Sequence, residues 1–199
     1  RIDVVGTLGN HTLGGKDWDG DLARYLAENY RSTFRVDPRA DEVLWAKLMV
    51  TAEKCKLALT NMESVPVSLE HEGSTTKMMV DRTTFDNLTE HNLLATGDIL
   101  DSLFEECQMT WDDIDEVLLC GGSTKMPQVV DFIRERTGRD NVLAHRDVDL
   151  AVVKGAAIYS AMASGATGLR EFILRDVTAH GIGMLARSED GERYVNDII

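Results

Sequence analysis

Two groups of residues in this sequence have the types and spacing to hold a phosphorylated ligand. The first lies in Asp115 to Pro127, DEVLLCGGSTKMP. Val117, Leu118, Leu119 and Cys120 form an unbroken apolar run, which predicts a short strand buried on both faces. Gly121 and Gly122 stop it, and the amphipathic segment from Met126 to Thr137 predicts a helix. Strand, glycine turn and helix can cradle a phosphate or a sugar, because backbone N–H groups face the ligand and the missing side chains let it come close. The same pattern also serves as a plain tight connection. The second group is Glu53, Lys56 and Thr60, spaced i, i+3 and i+7, which stacks a carboxylate, an ammonium and a hydroxyl on one line of a helix. Taken alone, that line reads as a solvated face with one ion pair.

The chain that must position these groups has 199 residues, 43% of them hydrophobic, enough for one large domain or two small ones. Its 21 basic and 34 acidic residues leave a net charge of −13, so the surface as a whole repels nucleic acid. A nucleotide is a different matter, since a small anion needs only a local nest of N–H groups and one or two lysines. Cys55, Cys107 and Cys120 are odd in number and far apart in apolar contexts, which predicts core residues of a protein in a reducing, cytoplasmic setting. No Cys or His spacing predicts a metal site, and no apolar stretch reaches the ~18–20 residues of a membrane span. His11, His71, His91, His145 and His180 are scattered, with no nucleophile pattern around them.

In chain order, Arg1 to Leu8 predicts a strand. It starts at the first residue without a methionine, so the expectation is an excerpt whose Ile2 to Leu8 edge lacks upstream partners. Trp18, Leu22, Tyr25, Leu26 and Tyr30 predict a helix from Asp17 to about Arg31. Asp37-Pro38 predicts the start of a second helix, running to about Thr60. Val65 to Leu69 and Thr75 to Val80 predict a hairpin turning at Gly73. Asp81 caps a third helical pattern that runs through Phe85, Leu93 and Leu103 to Cys107, with Gly97 as a possible break or pivot. Asn141 to Ala144 predicts a short strand. From Asp149 the small and apolar run LAVVKGAAIYSAMAS predicts a helix buried beside a sheet. Leu169 to Val177 is extended, and Ile182 to Ala186 with Tyr194 to Ile199 predict a further pair of strands.

The motifs LGGKDWD (Leu13 to Asp19), AEKCKLALT (Ala52 to Thr60), LLCGGSTKMP (Leu118 to Pro127), DLAVVKGAA (Asp149 to Ala157) and FILRDVT (Phe172 to Thr178) occur in the order and spacing of the seventy-kilodalton heat-shock chaperones. The chain resembles the second lobe of the ATPase domain of the DnaK type. That resemblance implies an α/β fold: an actin-like, ribonuclease-H-like subdomain over residues 1–13 and 91–164, with an α+β subdomain inserted at 14–90. It further implies an interdomain linker at 165–177 and, at 178–199, the start of a β peptide-binding domain, with the first lobe lying upstream.

The resemblance also implies ATP or ADP as the ligand. Gly121, Gly122, Ser123 and Lys125 would hold ribose, phosphates and one adenine face; Glu53, Lys56 and Thr60 would reach the ribose hydroxyls and the adenine edge. Asp149 would lie near the base and Lys16 near the phosphates. Mg2+ would be held mainly by the phosphates and the first lobe, so no catalytic residue is assigned in this chain. Implied partners are unfolded polypeptide clients, a J-domain cochaperone and a nucleotide exchange factor docking on roughly Asp17 to Thr89. The sequence departs from the family pattern at several positions. Leu57 replaces an arginine that stacks on adenine, and Lys16 replaces a glutamate. Asp147, Val148 and Leu150 replace Asn, Pro and Glu; Arg175 interrupts a leucine run, and Ala179-His180-Gly181 replaces Pro-Leu-Ser. An alternative reading is a non-hydrolysing chaperone-like interaction module whose nucleotide pocket has decayed.

Overall fold

The computed structural model describes residues 1–138, 143–144, 148–165, 168, 173–177, 183–187 and 193–197. Its best-packed part is built on helix α1 (Gly15–Phe34), which displays Trp18, Leu22, Leu26 and Tyr30 at four-residue intervals with Ala23 and Ala27 beside them, all buried. This stripe meets Leu48, Ala52, Cys55 and Leu59 of α2 (Glu42–Leu59) and Val67, Leu69 and Val80 of the hairpin β2 (Ser64–His71) and β3 (Ser74–Asp81). Phe85 of α3 (Arg82–Cys107) and Met126 complete the core. Burial of each Leu, Val, Phe or Met among them contributes about 1.5–3 kcal/mol. The hairpin buries alternate residues, Val67 and Leu69, while Pro66, Ser68 and Glu70 face water, as a one-faced sheet requires.

Local chemistry sets the boundaries of these elements. The Asp17 carboxylate accepts the Gly14 N–H at 2.7 Å at the start of α1. Asp41, rather than Asp37, begins α2: its Oδ1 accepts the N–H groups of Val43 at 2.8 Å and Leu44 at 3.0 Å. Asp37-Pro38 instead opens a separate 3-10 turn, Pro38–Ala40. There the side chain and N–H of Arg39 bind the Asp37 carboxylate and hold it down to about 2. Asp81 caps α3 through the Thr84 N–H at 2.7 Å, as its sequence position predicts. His71 pairs with Ser74 across the hairpin turn, where Glu72 and Gly73 take φ of 46° and 81°, the left-handed pair a tight two-residue turn needs. Tyr30 holds the hairpin tip, its hydroxyl 2.7 Å from His71 Nδ1.

Gly97 neither breaks nor pivots α3, which is continuous. The glycine is there for contact: helix α4 (Pro127–Thr137) brings Phe132 and Arg136 against it, and Arg136 continues to Asp101 at 2.6 Å. Buried Thr89 of α3 and Gln128 of α4 add a hydrogen bond at 3.2 Å across the same pair of helices.

The remaining strands differ from expectation in several respects. Only Ile2–Asp3 of the first segment forms a strand, β1, and it pairs in parallel with β6 (Leu174–Arg175), with Ile2 N–H donating to Ile173 O at 2.8 Å. The edge expected to be unpaired at Ile2–Asp3 is thus met from within the chain. Strand β4 (Leu118–Leu119) pairs in parallel with β5 (Leu143–Ala144), and it is buried on one face only: Leu119 is 8% exposed, Leu118 61%. Helix α5 (Ala151–Ala163) is exposed along most of its length, with Val152 and Tyr159 open to solvent, contrary to the predicted burial beside a sheet. A 13-residue helix is about 20 Å long, and the two-residue β4–β5 ladder spans about 7 Å, too short a face to cover it. Strands β7 (Gly183–Arg187) and β8 (Arg193–Asp197) form an antiparallel pair. Among the described residues the eight strands therefore form four two-stranded ladders. The predictions for 139–142, 145–147, 166–167, 169–172, 178–182, 188–192 and 198–199 lie outside the described residues; these include Asp147, His145, His180 and the Ala179-His180-Gly181 departure.

Of the three cysteines only Cys55 is a core residue; Cys107 is half-buried and Cys120 exposed, because β4 has just one covered face. Burial pushes the Cys55 thiol from the ordinary value near 9 up to about 11. Unfolded chains therefore release this proton first, and stability is expected to fall as pH rises from about 9 toward 11. Denaturant midpoints across that window should show a slope that Cys55→Ala reduces; an identical slope in the variant would remove Cys55 as its source. At Gly97 an added Cβ would lie 2.8 Å from Arg136 Cζ and 2.9 Å from Phe132 Cζ. Gly97→Ala should lower stability by about 1 kcal/mol in urea titrations, since overpacking of ~1–3 kcal/mol exceeds the ~1 kcal/mol gain in helix propensity.

Candidate functional site

The two groups of residues with binding chemistry meet at one cleft of about 450 Å3. One wall is the C-terminal end of α2, with Lys56, Leu57, Thr60 and the following Asn61; the other is the glycine loop, with Gly122, Ser123 and Lys125. Met126 and Asp149 close it. The loop is shaped by Gly121, whose φ of 94° belongs to glycine, and by a hydrogen bond from its N–H to Val148 O at 3.2 Å. A 3-10 turn, Gly122–Lys125, then intervenes before α4, so α4 does not begin at the glycines as the strand–turn–helix pattern suggests. The turn's first bond runs from Thr124 N–H to Gly121 O at 3.1 Å, which leaves the Gly122 and Ser123 N–H groups without a carbonyl inside the turn. Those donors, the Ser123 hydroxyl and two lysines make a polar lining suited to an anion and a polyol.

The two lysines are held in opposite ways. Lys56 is 12% exposed; its Nζ lies 2.8 Å from Asp19 Oδ1 and donates to Gly15 O at 3.0 Å. Asp19, in the first turns of α1, is itself buried. Lys125 pairs with Asp149 across the cleft, both side chains about half exposed. Gly15 fits between walls: a Cβ there would lie 3.2 Å from Lys56 Nζ and 3.3 Å from Ser123 Oγ. A Cβ on Gly122 would meet Asp149 Oδ1 at 3.5 Å. The approach at Gly15 is tighter than side chains ordinarily make, whereas the contact at Gly122 is an ordinary van der Waals one.

Of the sequence-predicted site residues, Lys56, Thr60, Gly122, Ser123, Lys125 and Asp149 line the cleft together, and Gly121 forms the turn behind them. Glu53 is exposed on α2 and is not among the lining residues; Lys16 is exposed in the first turn of α1, beside Gly15. Leu57, 59% exposed, brings an apolar surface to the cleft where the family's arginine is expected. Sequence reasoning passed over Asn61, which directly follows AEKCKLALT, Met126, which lies within LLCGGSTKMP, and Asp19, which sits within LGGKDWD. Its place in that motif was the one available signal, because no periodicity marks a carboxylate that points inward.

The family model described as "Hsp70 protein" matches residues 1–197 of the chain. A "Chaperone protein DnaK" of Metamycoplasma hominis is 33% identical over 196 residues, which covers 94% of this chain and 32% of that protein. Proteins of the same description from Thermosipho africanus (34% over 193 residues) and Thermotoga maritima (33% over 194 residues) each cover 92% of this chain and 32% of their own length. The chain thus spans about a third of the length of the curated relatives it matches.

The unequal burial of the two lysines predicts unequal consequences for folding. Lys56→Met leaves the Asp19 carboxylate buried without its cation and should cost about 3–5 kcal/mol. Lys125→Ala removes a half-exposed pair and should change stability by less than about 1 kcal/mol. Thermal and urea unfolding of both variants checks the contrast, and equal losses would contradict it.

Proposed function

The chain belongs to the Hsp70 family, and we propose that it is a nucleotide-binding lobe of a DnaK-type chaperone, with the cleft between α2 and the glycine loop as its adenosine half-site. The observation that carries this reading is the convergence of Lys56, Thr60, Gly122, Ser123, Lys125 and Asp149 on one cleft from three separate stretches of sequence. Gly122 and Ser123 would donate N–H and hydroxyl groups to the ribose and adjacent phosphates, and Lys125 would supply charge to the phosphates as a flexible point donor. Lys56 and, after a rotamer change, Glu53 would meet the ribose hydroxyls; Thr60 would meet the adenine edge, and Asp149 would lie near the base. Lys16 would contribute to the phosphate field from the first turn of α1. Leu57 offers the base an apolar contact in place of a cation–π stack, at a loss of about 0.5–2 kcal/mol.

In this reading residues 14–90 are an inserted α+β subdomain on an actin-like base formed by 1–13 and 91–164. Residues 165–177 are the interdomain linker and 178–199 the start of the peptide-binding domain. The ligand is ATP or ADP with Mg2+. Among the described residues no group of three or more His, Cys, Asp or Glu side chains is placed to hold a metal ion. The Mg2+ would be held mainly by the phosphates and the first lobe. The whole chaperone would hydrolyse ATP to drive folding of polypeptide clients, working with a J-domain cochaperone and an exchange factor, and the setting would be cytoplasmic. Among the described residues no helix is long and apolar enough to cross a membrane.

Calorimetric titration of Mg-ADP into the 199-residue chain tests the reading. Saturable binding should weaken about tenfold or more in Lys125→Ala, the effect of losing a charge-assisted hydrogen bond. Folded protein that takes up no ADP, with no thermal shift, would overturn the half-site and favour the decayed interaction module.

A further inference from the structure

We infer that Asp19 is a positioning residue for this site: a buried carboxylate that fixes the Lys56 ammonium so that it can address the ribose hydroxyls. The inference rests on the nucleotide reading above and adds to it a residue from α1, an element that contributes no side chain to the cleft lining.

Bringing a carboxylate and an ammonium out of water is unfavourable, and a packed apolar pair in the same place is often as stable or more so. The Asp19 side chain is 9% exposed and the Lys56 side chain 12%, so both have lost most of their solvent. Stability alone gives no reason to keep the charges. Their placement does: Lys56 lines the cleft, whereas Asp19 lies behind it on α1.

Donor counting sharpens the point. A lysine ammonium has three N–H donors. One goes to Gly15 O at 3.0 Å and one is drawn to Asp19 Oδ1 at 2.8 Å, an ion-pair contact that lacks hydrogen-bond angles. The third remains for a ligand. Among the described residues Asp19 makes no other ion pair, so its charge is committed to Lys56. A flexible four-carbon side chain tied at its tip by a carboxylate and a carbonyl loses its rotamer freedom before the ligand arrives. Gly15 completes the arrangement, since its missing side chain allows Lys56 Nζ and Ser123 Oγ to approach the same point from two walls.

A purely structural role, pinning α1 to α2, would weaken every ligand of the cleft alike. A positioning role acts on the ribose hydroxyls alone. The test is therefore calorimetric titration of Mg-ADP and of Mg-2′,3′-dideoxy-ADP into the full chain and its Asp19→Asn variant, with thermal unfolding run beside each. The near-isosteric change should weaken ADP binding by about 3–10-fold, the equivalent of part of one charge-assisted hydrogen bond, and dideoxy-ADP by less than about twofold. Equal losses for the two ligands, or no loss for either, would overturn the proposal while leaving the half-site standing. Failure of the parent chain to bind either ligand would instead overturn the half-site reading and the proposal with it. The double variant Asp19→Asn with Lys56→Gln leaves no buried charge, which guards against a misfolded single variant. In the Lys56→Gln background, Asp19→Asn should bring no further loss of ADP affinity, and an additional loss would show that Asp19 acts other than through Lys56.

Discussion

The apolar stripe of α1 is the constraint on which the best-packed part of this chain depends. Trp18, Leu22, Leu26 and Tyr30 with the alanines between them cover too wide an arc for one neighbour. Helix α2, the β2–β3 hairpin and the start of α3 therefore close around it from three sides. The cleft follows from this closure. Packing α2 along α1 sets Lys56 beside the α1 N-terminus, and seating Met126 in the same core brings the glycine loop to the end of α2. A site assembled from residues 15 to 149 is thus held by the same contacts that hold the fold.

What could be read from sequence was whatever short-range chemistry decides. The hairpin was legible because Gly73 and the alternation of Val67 and Leu69 act within a few residues. The position of α1 and the Asp81 cap were legible for the same reason, although α1 extends past the predicted segment at both ends, from Gly15 to Phe34. The start of α2 was not, because Asp37-Pro38 and Asp41 are both good caps. The choice fell to Arg39, whose guanidinium takes up the Asp37 carboxylate at 2.8 Å. Gly97 looked like a weak point in a helix, and its reason lies some forty residues away in Phe132 and Arg136. The apolar runs around Leu118 and in α5 predict burial, but hydrophobicity specifies neither how many neighbours a segment has nor from which side they come.

The candidate site divides along the same line. Its motifs gave the glycine loop and the Lys56–Thr60 face, which the fold brings together. They did not reveal that Glu53 is not among the residues lining the cleft, since a position on a helix face is relative to neighbours that sequence spacing does not name. Nor could they reveal Asp19, which shares its motif with solvent-facing residues and is set apart only by the packing of α1 on α2.

The two lysines show why a cleft of this kind benefits from two sorts of cation. An ammonium that must meet a hydroxyl, a weakly polar group, gains little from the encounter unless its own freedom has been removed beforehand. Burial against Asp19 and Gly15 does that for Lys56. An ammonium that meets a phosphate has a strong partner and can be left mobile. In the proposed half-site Lys125 would be such a group: its pairing with Asp149 is half exposed and so costs little to exchange. In that reading a fixed cation on the α2 wall and an exchangeable one on the loop wall would give shape recognition to the first and charge recognition to the second. Swapping their surroundings would lose both, since a buried loop lysine could not release its partner and an exposed α2 lysine would arrive at the proposed ribose position in no fixed direction.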